Sequence, residues 1–189
     1  IEQLMTIADT VLIGGAMANT FLAYQNVSVG KSLVEAGQEP EIKRILNLAK
    51  PDQIVLPKDV AVAHAIEPSA ARRDCSPDDV KPSEHILDIG PKTVELFTSH
   101  LEKAATVIWN GTLGYAELPQ FAVGSAAIAQ SMADQHHNIT GIVGGGDTAE
   151  YVLEWLGAHK NAHFTHISTG GGASLELMSG LTLPGVEAL

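Results

Sequence analysis

The sequence predicts an α/β domain built on a mainly parallel sheet, and three observations carry that expectation. Short apolar runs rich in Val and Ile alternate with amphipathic stretches along the chain. Four of these runs end in glycine and turn directly into a helix or loop. The amphipathic stretches start at prolines or glycines, and two of them stop at Pro51 and Gly157, as helices do.

Buried parallel strands are expected at "TVLIGG" from Thr10, "DQIVLP" from Asp52, "ATVIWNG" from Ala105, "NITGIVGGG" from Asn138 and "FTHISTGGG" from Phe164. "DVAVAH" from Asp59 is a shorter candidate. Helices are expected between them. "PEIKRILNLAKP" opens with Pro40 in the first turn and stops before Pro51, with Ile42, Ile45, Leu46 and Ala49 on one face. "PKTVELFTSHLEKAA" from Pro91 turns Val94, Phe97 and Leu101 inward, and "PQFAVGSAAIAQSMADQ" starts at Pro119. In the last of them, Ala149, Val152, Leu153 and Leu156 form a stripe closed by Gly157. Glu67–Glu84, rich in Pro, Asp and Ser, reads as a surface excursion within one domain.

The turns "VLIGGAMANTF", "VIWNGTLGYAE", "GIVGGGDTAEY" and "HISTGGGASLE" form a weak repeat. Gly111 to Gly144 is 33 residues and Gly144 to Gly170 is 26, about one βα unit each. Parallel strands send their C-termini to one edge, so these turns are expected to cluster where open α/β sheets bind ligands.

Composition narrows the function. A chain of 189 residues with 45% hydrophobic and 17% charged residues can bury a substantial core. No apolar run reaches membrane-spanning length, and the acidic N-terminus is unlike a signal peptide. A net charge of −11 lacks the basic footprint that nucleic acid needs, whereas helix N-termini can hold a small phosphate without lysines. The single cysteine, Cys75, fits a reducing cytosol and reads as a spare surface thiol, with Arg72 and Arg73 able to lower its pKa.

At Gly144–Thr148 the glycines either allow a tight turn or let a ligand approach bare N–H groups. A second triglycine turn at Gly170, Gly171 and Gly172 favours the ligand site. Asp147 fits an N-cap and also a carboxylate for phosphate-bound Mg²⁺, and the two uses are compatible. "GKS" at Gly30–Ser32 fails as a P-loop, since the required first glycine falls on Gln25. "GGGDTA" fits G-x-G-x-x-A, but the acidic residue expected about twenty positions on is missing, which disfavours a nicotinamide cofactor. His163 and His166 lie in or beside a strand, where an i, i+3 pair faces opposite sides, and His136 and His137 sit in a turn. Trp109 reads as core, and Glu117 on composition alone reads as a solvated carboxylate.

With the four glycine turns aligned, the chain resembles phosphoglycerate kinase, specifically its C-terminal, nucleotide-binding half. The pieces are "LIGGAMANTFL", "VGKSLVE", "ILDIGPKT", "VIWNGTLGYAE", "GGGDTAEYV", "HISTGGGASLELMSG" and "LPGVEAL", in the family's order over nearly all of the chain. The resemblance implies a three-layer Rossmann-like α/β domain over residues 1–189, incomplete at its N-terminal edge. It also implies a cytoplasmic, monomeric glycolytic parent that transfers a phosphoryl group between 1,3-bisphosphoglycerate and MgADP, giving 3-phosphoglycerate and MgATP. Neither nucleic acid nor membrane is an expected partner.

The resemblance further implies an adenine pocket from Gly14, Gly15 and Ala16 with Ile66 and Leu87, and a ribose contact from Glu117. Asn110 and Gly111 are implied as nucleotide contacts. Gly145, Gly146, Asp147 and Thr148 are implied at the metal–nucleotide phosphates, with Asp147 facing Mg²⁺. Gly170, Gly171 and Gly172 are implied to stabilise the transferring phosphoryl group. The family's Pro-Val-Gly-Val-Phe-Glu is "TLGYAE" here, so Thr112, Tyr115 and Ala116 alter one wall of the adenosine site. The sequence begins just after the family's "GGAKVSDK"-like segment and lacks the phosphoglycerate-binding half, so a fragment inactive on its own is expected. The alternative is a non-catalytic α/β phosphate- or nucleotide-binding module.

Overall fold

In a computed structural model, residues 1–169 are described; the Gly170–Gly172 turn lies outside them. The chain divides into two compact units, one of Ile1–Thr98 with Thr112–Ala127, the other of Ser99–Gly111 with Ile128–Leu189.

The first unit opens with helix α1 (Glu2–Ile7), strand β1 (Val11–Leu12), helix α2 (Gly15–Tyr24), helix α3 (Glu39–Leu48) and strand β2 (Ile54–Val55). β1 pairs parallel with β2, Val11 opposite Ile54, and the ladder extends through Ile13 N–H to the Val55 carbonyl at 3.0 Å. Met5, Ile13, Ala18, Phe21, Ile42 and Ile45 close one core, the last two from the predicted face of α3. Leu46 and Ala49 pack at its edge, only partly buried. Each large apolar side chain buried here contributes roughly 1.5–3 kcal/mol. Buried Gln53 adds a polar tie: its amide donates to the Met5 and Ala8 carbonyls at 2.9 and 2.8 Å, fixing the end of α1 against the turn before β2.

"DVAVAH" does form a strand, β3 (Val60–Ala63), but its partners run antiparallel to it. They are β4 (Arg73–Cys75) and β5 (His85–Ile89), in the order β4-β3-β5. Only loops and one 3-10 turn (Pro77–Asp79) join the three strands, and parallel pairing needs a helical crossover. The expected surface excursion at Glu67–Glu84 therefore contains a strand, which its charged residues concealed. Those residues are held: Arg73 grips Glu84 through Nε and Nη2 at 3.1 and 2.6 Å. Cys75 is also not a surface thiol. It is half-buried beside Val60, Val62 and Val80, and burial pushes its pKa up despite the opposing Arg73 charge.

Helix α4 (Pro91–Leu101) follows β5 and buries Phe97 and Leu101. The helix expected from Pro119 instead starts as a 3-10 turn (Pro119–Phe121), and α5 runs Val123–Asp134. The cause is visible in the hydrogen bonds. The Gln120 carbonyl, which a continuous helix would pair with Gly124 N–H, accepts Arg72 Nη1 at 2.8 Å. Gly124 N–H goes to the Asp88 carboxylate at 2.9 Å.

Among the described residues, the strands of the second unit all pair parallel. β6 (Thr106–Asn110), β7 (Thr140–Gly144) and β8 (His166–Ile167) lie in the order β6-β7-β8, with α6 (Gly146–Ala158) between the last two. Trp109 is buried opposite Val143, as its place in an apolar strand predicts. On α6, Ala149 and Val152 are fully buried and Leu156 is half-buried, but Leu153 is 51% exposed. The buried stripe is thus narrower than the spacing predicts, and the helix runs one residue beyond Gly157.

Candidate functional site

Helix N-termini offer bare N–H groups unless something caps them, so the capping pattern is the first guide to where an anion can sit. The start of α4 is closed. Asp59 accepts Lys92 N–H and Thr93 N–H at 2.9 and 2.7 Å, and the Thr93 hydroxyl donates to the same carboxylate. The starts of α2 and α6 differ. Their N-caps are Gly14 and Gly145, and neither helix has a side-chain cap.

In the second unit the register places Asn110 opposite Gly144, so the turns after β6 and β7 begin side by side. Gly111 and Gly145 have φ of +98° and +96°, a region that side chains disfavour. A Cβ on Gly145 would also lie 2.7 Å from Asn110 Oδ1. Gly111 is pinned at both polar groups: its N–H donates to Thr148 Oγ1 at 2.7 Å, and its carbonyl accepts Trp109 Nε1 at 2.8 Å. Tyr151 of α6 packs edge-on to the Trp109 ring at 6.3 Å. The structure thus brings Asn110, Gly111, Gly145 and Thr148 together.

Two expectations change here. The N-cap is Gly145, so Asp147 is not the cap; it stands exposed as the second residue of α6, in a first turn where a carboxylate meets a favourable dipole. Thr148 is 1% exposed, and its oxygen is turned to Gly111. It reaches the turn through Gly111's backbone instead of facing solvent. Gly146 is exposed, with nothing within 4 Å of a Cβ built on it. Among the described residues no group of three or more His, Cys, Asp or Glu is arranged to hold a metal. Exposed Asp147 suits an ion that takes one carboxylate and draws its other ligands from phosphate and water.

In the first unit, the segment Thr112–Leu118 packs on the start of α2. A Cβ at Gly14 would stand 2.5 Å from Leu113 Cδ2, and one at Gly15, whose φ is +61°, 2.9 Å from the Thr112 carbonyl oxygen. Ala16 and Glu117 are exposed, as are Ile66 at 46% and Tyr115 at 42%. Leu87 is only 6% exposed, in a core with Ala61, Ala63, Leu118 and Phe121. Its backbone carbonyl accepts Tyr115 N–H at 2.7 Å. A cleft of about 860 Å³ on the same unit takes in Ala16 and Met17 of α2, with Leu33, Val34, Ile42 and Arg44.

Sequence reasoning missed the support beneath this segment. Asp88, 2% exposed, accepts Gly124 N–H, Ile89 N–H and Arg72 Nη1. Burial pushes its carboxyl above the usual range, and these donors pull it back. The available signal was an aspartate inside the apolar run "HILDIG", since a carboxylate there demands buried partners.

A profile of the phosphoglycerate kinase family matches residues 1–181. The phosphoglycerate kinase of Herpetosiphon aurantiacus is 46% identical over 191 residues, covering 100% of this chain and 47% of that protein. That of a Roseiflexus species is 48% identical over 193 residues, with the same 100% and 47% coverage. The solved phosphoglycerate kinase of Coxiella burnetii superposes with a TM-score of 0.90 at 34% identity, over 98% of this chain and 47% of that one. The chain spans about half the length of the relatives it matches. Over that span, in sequence and in fold, it belongs to the phosphoglycerate kinase family.

Proposed function

We propose that residues 1–189 form the C-terminal, nucleotide-binding domain of a phosphoglycerate kinase, which moves a phosphoryl group between 1,3-bisphosphoglycerate and MgADP to give 3-phosphoglycerate and MgATP. The observation that carries this is the uncapped, glycine-led start of α6, braced by Thr148 and Asn110 and bearing exposed Asp147. Phosphoryl transfer asks little covalent chemistry of a protein; it asks for positioning and charge stabilisation. Free N–H groups on a rigid turn supply both, because they need no reorganisation as charge develops.

In this reading the α6 turn, with Asn110, Gly111, Gly145 and Gly146, holds nucleotide phosphates, and Thr148 keeps that turn in shape. Asp147, with phosphate oxygens and water, would hold Mg²⁺, which supplies neutralisation of phosphate charge when bound. Gly14, Gly15, Ala16, Ile66, Leu87 and Glu117 are assigned to the nucleoside through the family resemblance. Gly170, Gly171 and Gly172 are assigned on the same ground to the transferring group. The acyl phosphate substrate is held by residues outside these 189, the parent works as a cytoplasmic monomer, and neither nucleic acid nor membrane takes part.

A coupled assay tests this. The chain alone is expected to give no turnover, and adding the other half of a family member is expected to restore it. Full turnover from the chain alone, or none with the other half present and MgADP bound, would contradict the reading. The latter result would favour a binding module without catalysis.

A further inference from the structure

The chain Thr112–Gly124 follows no regular element for most of its length, yet it is fastened at four points. Leu113 N–H donates to Ser125 Oγ at 2.9 Å and Tyr115 N–H to the Leu87 carbonyl at 2.7 Å. The Gln120 carbonyl and Gly124 N–H are taken by Arg72 and Asp88, at 2.8 and 2.9 Å. Asp88 lies under both arms of the loop: a Cβ on Gly114 would be 2.6 Å from its Oδ1, and one on Gly124 2.5 Å. Arg72 completes the assembly with bonds to Asp88 Oδ2 at 2.8 Å, the Ile89 carbonyl at 3.0 Å and Asp74 Oδ1 at 3.0 Å. Its side chain is 17% exposed and that of Asp88 0%, so the pair is shielded from the screening that weakens surface ion pairs.

What this assembly holds is unusual in its exposure. Tyr115 and Glu117 project from a segment whose backbone is tied down on each side of them, and whose first residues press on the start of α2. Fixing the backbone under two solvent-facing side chains removes the ordering cost that a ligand would otherwise meet. Structural need alone does not account for a guanidinium spread over four acceptors beneath a loop, since a buried pair contributes little net stability.

We infer that Arg72 and Asp88 are positioning residues for nucleoside recognition, holding the Thr112–Gly124 loop in the shape that presents Tyr115 and Glu117 to the base and ribose. This rests on the nucleotide-binding reading above. Arg72 and Asp88 act through the loop and not by contact with the ligand, so phosphate binding at the α6 turn is independent of them.

The test is calorimetric titration of the full chain with MgADP and, separately, with magnesium tripolyphosphate, which has phosphates and no nucleoside. Arg72→Lys keeps the charge and loses the planar fork; it is expected to weaken MgADP by about tenfold and tripolyphosphate by less than about twofold. In a Tyr115→Ala/Glu117→Gln background, Arg72→Lys is expected to cost no further MgADP affinity, because the side chains it positions are gone. Asp88→Asn is expected to repeat the selective loss, and Arg72→Lys carries the test alone if that variant does not fold. Equal loss of both ligands, unchanged MgADP affinity, or full additivity with the double variant would overturn the inference. A wild-type chain that binds tripolyphosphate as tightly as MgADP would overturn the nucleoside reading itself, a result separate from any variant's behaviour.

Discussion

The hydroxyl of Thr148 accepts the Gly111 N–H at 2.7 Å, joining the turn that leaves β6 to the first turn of α6. Two turns that come from different βα units are thereby made one rigid surface. Thr148→Val keeps the volume and removes the acceptor, leaving a backbone donor unsatisfied. A loss of about 1–3 kcal/mol of stability is expected, with weaker MgADP binding, and Thr148→Ser should recover most of both. Urea unfolding and calorimetry read the two effects. Equal behaviour of the Val and Ser variants would remove the hydrogen bond from the explanation.

The glycines of the same turn should not be equivalent. Gly145 has φ +96° and no room for a Cβ beside Asn110, whereas Gly146 has nothing within 4 Å. Gly145→Ala is expected to cost about 1–3 kcal/mol through backbone strain alone, and Gly146→Ala less than about 1 kcal/mol. Thermal unfolding of the two variants measures the contrast directly.

Helix α4 supplies the control. Its N-terminus is occupied by Asp59, so it has no free donors to give a ligand. Asp59→Ala should lower stability by about 1–3 kcal/mol, the cost of leaving buried donors without an acceptor, while a folded variant keeps wild-type MgADP affinity. Selective loss of MgADP affinity from a stable variant would place a ligand at the wrong helix.

Acid stability should report Glu84. Its carboxylate accepts two bonds from Arg73 and one from Lys81 N–H at 2.9 Å, and the Arg73 contact holds it below its ordinary value of 4.5. A folded value below the unfolded one means the stabilisation is complete above the unfolded value and lost as pH falls through the folded one. Asp88 is shifted by burial in the opposite direction and does not share that loss. Glu84→Gln should therefore lose less stability than wild type between about pH 7 and about pH 3, compared by urea midpoints. A wild-type pH dependence in the variant would exclude Glu84 as the cause.

Much of this arrangement was legible in the residues. Short runs rich in Val and Ile and proline-started helices located β1, β2, β6, β7, α3 and α4, because burial and capping act locally. The glycine turns at Gly111 and Gly145 were legible for the same reason. Strands β4 and β5 were not, since Arg73, Asp74, His85 and Asp88 obscure their period, and the partners that satisfy these charges, Arg72 with Asp88 and Arg73 with Glu84, are distant in sequence. The late start of α5 was equally hidden: two bonds, from Arg72 and to Asp88, divert the Gln120 and Gly124 groups that would have continued the helix. Leu153 fails for a simpler reason, because helical periodicity gives the centre of a buried stripe and not its width.

The central claim is that the start of α6 holds metal-bound nucleotide phosphates through its bare N–H groups and Asp147. Calorimetric titration of MgADP into the wild-type chain and into Asp147→Ala measures it most directly. The account predicts binding in the micromolar to millimolar range, weakened at least about tenfold in the variant, with the difference vanishing when Mg²⁺ is chelated. Undetectable binding to a folded wild-type chain, or equal affinity in both proteins with Mg²⁺ present, would contradict it.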